Sequence, residues 1–212
     1  MKKDEINKSL VPTDNKDAKY YRVYHECLKL IHEEGLKAVT HSSVARKAQV
    51  SRPWIYKYMG DSKEELIKNA VKFFGTEFTK FSLRKIEITG PKAMLRALWE
   101  GTWNNLDFAC EYPFIISLYV RFAGTDNILG QTIDEIETLY FRRLKSKFQQ
   151  VLKNEQLAEE AAHLVKALRI GAALEYGVFT HEKMSPEKKK QTYNSLNYML
   201  KKLLKEYLRA AK

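Results

Sequence analysis

The sequence predicts an all-α protein of about nine helices, and three observations carry that expectation. Only 9 Gly and 5 Pro occur in 212 residues, too few breaks for the many turns of a β-sandwich or barrel. Apolar residues recur at three- and four-residue spacing along most of the chain, with no convincing strand alternation and no internal repeat. Apolar content of 44% and charged content of 30% lie near the globular average, which excludes a disordered or collagen-like chain.

Each element has its own local signal. Residues 1–16 are polar and aperiodic and are expected to form a flexible basic arm. From Asp17, residues Tyr20, Val23, Tyr24, Cys27, Leu28 and Ile31 recur at helical spacing, and Gly35 is the stop. Thr40 reads as the N-cap of a short helix to about Ala48, with Val44, Ala45 and Ala48 inward. Ser51 caps the next, with Pro53 in its first turn, and that run closes at Gly60. Ser62 heads a capping box with Glu65, followed by Leu66, Ile67, Ala70, Val71, Phe74 and Phe78. After Gly90 and Pro91 a helix is expected over about 92–111, and Pro113 opens another that ends near Gly124. Residues 126–153 form one amphipathic run, broken near Asn154. An Ala-rich helix follows over about 156–180, where Ala167, Gly171, Ala172 and Ala173 allow close approach of a neighbour. Ser185 and Pro186 open the last helix, whose stripe is Tyr193, Leu196, Leu200, Leu203, Leu204 and Tyr207.

A long helix, a very short one, a three-residue turn and another short helix follow helix-turn-helix arithmetic. Such a unit offers its second short helix to the DNA major groove. Here that helix begins Ser51-Arg52-Pro53-Trp54-Ile55-Tyr56-Lys57-Tyr58. Arg52 suits a guanine edge, Trp54 a thymine methyl, and Tyr56, Lys57 and Tyr58 phosphates, while Ile55 is left for the core. Thr40, His41 and Ser42 add donors beside the exposed N–H groups of the preceding helix, and Lys63 closes the other side. Taken singly, each of these residues is equally well explained as a wet tyrosine at a core edge or a solvated cation; their combination favours the interface.

The pattern Thr40-x-x-x-Val44-Ala45-x-x-Ala48-x-Val50-Ser51-x-x-x-Ile55-Tyr56-x-Tyr58-Met59, followed by Lys63-Glu64-Glu65-Leu66, resembles the DNA-binding domain of the TetR family of transcriptional regulators. Residues 34–40 are similar to that family's link between its first two helices. The resemblance covers about residues 18–72 and implies a helix-turn-helix domain over 17–65 and a helical ligand-binding and dimerisation domain over 66–212. It also implies a homodimeric, ligand-responsive repressor on a palindromic DNA operator, with Arg52, Pro53, Trp54, Tyr56, Lys57 and Tyr58 on the recognition helix. Three positions depart from the family pattern. Gln49 stands where Gly is usual, at a turn that calls for a left-handed backbone; Pro53 replaces a frequent Gly; and one extra residue lies between Met59 and Lys63.

In the second domain, Trp99, Trp103, Tyr112, Tyr119, Phe122, Phe141 and Tyr176 are candidates to line a pocket for a small apolar or aromatic effector. Aromatic stripes at this spacing serve equally as plain core. By resemblance, the last two helices, about 156–180 and 186–209, would pair across a two-fold axis; a monomeric bundle would bury the same stripe internally.

Other classes fare worse. No HExxH, GxSxG, P-loop or GxGxxG occurs, so an enzyme is not expected, and neither is a cofactor. His25 and His32 lie two turns apart without a third ligand, so no metal is expected. Cys27 sits on an apolar stripe, as a core residue would. With two distant cysteines, no secretory signal and no apolar window of 18 residues, the expected setting is cytoplasmic, away from the membrane. The net charge of +11 is uneven. Residues 1–60 carry 12 basic and 7 acidic side chains, and residues 183–212 carry 9 and 2, whereas the middle is nearly neutral. Charge alone would also fit a non-specific polyanion binder, which would show no preferred sequence and steep salt dependence.

Overall fold

Helix caps set the frame. The structure is a computed structural model that describes residues 15–83, 87–179 and 185–211, with the side chains of 80–83 left aside. Among these residues are nine α-helices and no strand: α1 Lys16–Glu34, α2 His41–Lys47, α3 Arg52–Met59, α4 Lys63–Leu83, α5 Pro91–Glu111, α6 Pro113–Phe122, α7 Ile128–Leu152, α8 Glu155–Ala173 and α9 Pro186–Ala210. Side-chain oxygens of Asn15, Thr40, Ser51, Asn127, Asn154 and Ser185 accept from the first free backbone N–H groups of their helices, each such cap contributing roughly 1 kcal/mol. Asn15 and Lys16, placed in the arm by the sequence, cap and begin α1; the rest of the arm lies outside the described residues.

The chain divides into two compact units, residues 1–73 and 74–212. The first buries Val23, Cys27, Leu30 and Ile31 of α1, Val44 and Ala45 of α2, Ile55 and Met59 of α3, and Leu66, Ile67 and Ala70 of α4. Full burial of each large aliphatic side chain contributes about 1.5–3 kcal/mol. Burial pushes the Cys27 thiol up to about 12, the behaviour of a core cysteine rather than a nucleophile.

The second unit is a helical bundle built on Met94 and Leu98 of α5, Tyr140, Leu144, Phe148 and Leu152 of α7, the alanines and Val165 of α8, and Leu200 and Leu204 of α9. The apolar stripe of α9 is thus covered within the unit: Leu196, Leu200 and Leu204 are all buried. Arg169 is buried in the same core. Its guanidinium donates to Thr102 Oγ1 (3.2 Å), Tyr140 Oη (3.1 Å) and the Leu98 carbonyl (2.9 Å). Gly101 makes room for it, because a Cβ there would lie 2.4 Å from Arg169 Nη2. Lys147 is also buried, and burial, reinforced by the charges of Arg169 and Arg143, lowers its pKa from 10.5 to about 8.

The sequence expectation of one α-helix over 156–180 needs correction. The α-helix ends at Ala173, and Leu174–Phe179 widens into a π-helical stretch packed on α5 and α6. Gly177 is required there, since a Cβ would fall 2.7 Å from the Ala109 carbonyl oxygen. Thr180 lies outside the described residues.

Candidate nucleic-acid interface

The turn between α2 and α3 is held by backbone before any side chain is considered. Val50 N donates to the Ala45 carbonyl (3.0 Å), and Gln49 takes a left-handed φ of 54°, the conformation expected where the family pattern has Gly. Arg22 Nε on α1 donates to the Ala48 carbonyl (3.3 Å) and ties the turn to the first helix. At the start of α2, Thr40 Oγ1 accepts from Ser43 N (3.0 Å) while Ser43 Oγ accepts from Thr40 N (2.9 Å). Ser43 Oγ also reaches the Ala38 carbonyl (2.9 Å). This reciprocal box satisfies two otherwise unpaired donors, and Ser43 was not among the residues the sequence singled out.

With Ile55 and Met59 buried, the opposite face of α3 is fixed outward. Arg52, Pro53, Tyr56 and Lys57 are exposed, as are Thr40 and Ser42 at the start of α2; Trp54, Tyr58 and Lys63 are half-buried. Arg52 Nη2 donates to Tyr56 Oη (2.9 Å) and its guanidinium lies 5.4 Å from the centre of the Tyr56 ring. The guanidinium is therefore held near the helix surface with donors to spare.

Two predicted residues serve the packing as well. Trp54 meets Tyr20 of α1 at 5.4 Å and Tyr58 at 5.0 Å between ring centres. Lys16 lies 4.5 Å from the Tyr58 ring and Lys57 5.2 Å. Tyr20 and Lys16 were missed, because nothing in α1 marks which tyrosine or lysine faces α3. His41 is buried, its ring stacked on Tyr56 at 4.5 Å and 7° and its Nε2 3.1 Å from the Gly60 carbonyl. Lys47 turns away to Glu34 (2.9 Å) and Glu33 (3.4 Å), and its hydrogen bond to Glu34 raises its pKa.

Several of the seven aromatic candidates of the second unit have partners of their own. Tyr112 is buried among Phe74 and Phe108 and donates to Glu111 Oε1. Trp103 stands edge-on to Tyr193 at 4.4 Å, Phe141 lies 4.2 Å from the His163 ring, and Tyr119 donates to Glu137. Phe122 is buried, Trp99 is 38% exposed, and the Tyr176 carbonyl accepts from Cys110 Sγ. An open groove of about 530 Å³ on α8 is lined by Glu155, Gln156, Glu159, Glu160 and His163. Among the described residues no three His, Cys, Asp or Glu side chains are grouped to hold a metal, and no helix is long and apolar enough to cross a membrane.

Residues 25–70 match the family model described as bacterial regulatory proteins, tetR family. No curated protein matches the chain. Among solved structures, a transcriptional regulator of the TerR/AcrR family from Aquifex aeolicus is similar at 14% identity and TM-score 0.61, over 85% of this chain and 99% of that one. The TetR family transcriptional regulator PfmR from Thermus thermophilus is similar at 15% identity and TM-score 0.59, over 85% and 97%. AibR, solved with isovaleryl coenzyme A and operator DNA, is similar at 13% identity and TM-score 0.59, over 86% and 97%. At these identities the structural likeness shows a shared fold and nothing further.

Proposed function

We propose that this chain, a TetR-family regulator in its N-terminal domain and helical fold, binds a specific DNA operator through α2 and α3 and represses transcription in the cytoplasm without catalysing a reaction. The outward face of α3 supports this reading best. A short helix anchored by Ile55 and Met59 presents Arg52, Tyr56 and Lys57 together. Arg52 would read a guanine edge; Tyr56, Lys57, Thr40, Ser42 and Lys63 would hold phosphates; Trp54 and Pro53 would shape the contact at the helix start.

A palindromic operator would match a homodimer. The α9 stripe is buried within its own unit, so the dimer contact falls to what α8 and α9 leave outside: Leu164, Tyr198 and Met199, each about half exposed or more. Ala167 and Gly171 of α8 are exposed as well, and a Cβ on Gly171 would meet nothing within 4 Å, which leaves room for close backbone approach. A small apolar or aromatic effector bound among the aromatics of the second unit would relieve repression, with leverage limited to its differential affinity for the two states.

Selection from a randomised duplex pool, followed by competition against scrambled duplex at two salt concentrations, tests the reading. The selected site should be a palindrome bound on the order of 10³-fold or more tightly than scrambled DNA. Equal affinity for both duplexes would sink it in favour of charge-driven, non-specific binding.

A further inference from the structure

We infer that His41 is a positioning residue for the recognition helix: it sets the Tyr56 ring, and through it Arg52, without touching DNA itself. The inference rests on the proposed operator binding and assigns a part to a residue whose place at the start of α2 otherwise suggests a phosphate donor.

A carbonyl oxygen only accepts, so the His41 ring at 3.1 Å from the Gly60 carbonyl carries a proton on Nε2 and donates it there. That proton is unavailable to a phosphate. The ring is only 8% exposed, and its face lies 4.5 Å from the Tyr56 ring at 7°. Tyr56 in turn accepts from Arg52 Nη2 at 2.9 Å. His41 thus grips α3 twice, through the ring of Tyr56 and through the carbonyl of Gly60, the residue that ends the helix with a φ of 90°. An exposed Tyr and Arg would otherwise sample several rotamers, and ordering them before binding lowers the entropy cost of contact.

Salt dependence separates positioning from contact between a charged imidazole and a phosphate, because each phosphate neutralised by a cation adds about 0.9 to the slope of log K against log salt, and His41→Phe separates it from an uncharged contact. His41→Ala should weaken binding to the selected duplex about tenfold, the scale of ordering one or two side chains on binding, with the slope unchanged and with weaker discrimination at the base pair read by Arg52. His41→Phe, which keeps a ring under Tyr56 but has no N–H, should recover most of the affinity, again with the slope unchanged. A fall in slope of about 0.9 in either variant, or a His41→Phe protein as weak as His41→Ala, would overturn the inference. If His41→Ala fails to fold, judged by its circular dichroism, His41→Phe alone decides through its slope and affinity. Absence of any preferred sequence for the unmodified protein would count against operator binding itself, a result distinct from either outcome.

Discussion

At the scale of single residues, Arg52 and Lys57 occupy the same exposed face of α3 and should fail differently. Arg52→Ala should cost about 1–3 kcal/mol of operator affinity and relax preference at one base pair, whereas Lys57→Ala should weaken all duplexes alike and lower the salt slope by about 1. Binding titrations on the selected site and its single-base variants check both; an Arg52→Ala protein with undiminished preference would move base readout to another side chain. Both residues were legible in the sequence because their neighbours are local: Ile55 and Met59 define the buried side, and Arg52, Tyr56 and Lys57 lie on the opposite one. His41 was legible only as a polar residue at a helix start. Its stacking and hydrogen-bond partners lie on Tyr56 and on Gly60, the latter 19 residues along the chain, and no periodicity reports a contact of that kind. Trp54 has the same history, since Tyr20 of α1 decides how much of it remains uncovered.

Among the elements, the short ones were as readable as the long ones, because capping chemistry is a matter of three or four consecutive residues. Thr40, Ser51 and Ser62 each accept from the backbone N–H three residues on, and Gly35 ends α1 with a positive φ. The left-handed Gln49 was foreseeable too, from the place of Gly in the family pattern. It provides a direct test, since a non-Gly residue in that conformation carries strain of about 1 kcal/mol. Gln49→Gly should therefore raise the stability of the helix-turn-helix by about 0.5 kcal/mol, the strain relieved less the roughly 0.4–1 kcal/mol by which the freedom of Gly favours the unfolded chain. A shift of the denaturation midpoint to higher urea at constant slope is the expected readout, and a lower midpoint would mean that the Gln49 side chain itself supports the turn. What the sequence did not reveal was the end of α8. The small residues that invite close packing also permit a change of helical type, and the choice between them depends on the Ala109 carbonyl of another helix.

For the molecule as a whole, charge in the interior should govern how stability responds to alkali. The folded-state pKa of Lys147 is near 8, against 10.5 ordinarily. Between those values the unfolded chain binds a proton that the folded one does not, so this residue's contribution to stability rises with pH across the interval and is constant below it. Cys27 and Tyr24 act oppositely, because burial raises each to about 12 and their unfolded forms ionise first. The comparison must therefore be between proteins: Lys147→Met should be more stable than the unmodified chain at pH 7, with the gap closing from pH 8 to 10.5 in denaturation series. A gap that does not narrow would show that Lys147 keeps its ordinary proton affinity in the fold. The π-helical stretch Leu174–Phe179 carries a consequence of another sort. Each of its turns takes up one residue more than an α-turn does, so it acts as a buffer for changes in chain length. A one-residue deletion within it could tighten the stretch to α-helix and leave α8 in register, whereas a deletion upstream would turn every later residue of the helix by about 100°, carrying Arg169 away from Thr102 and Tyr140.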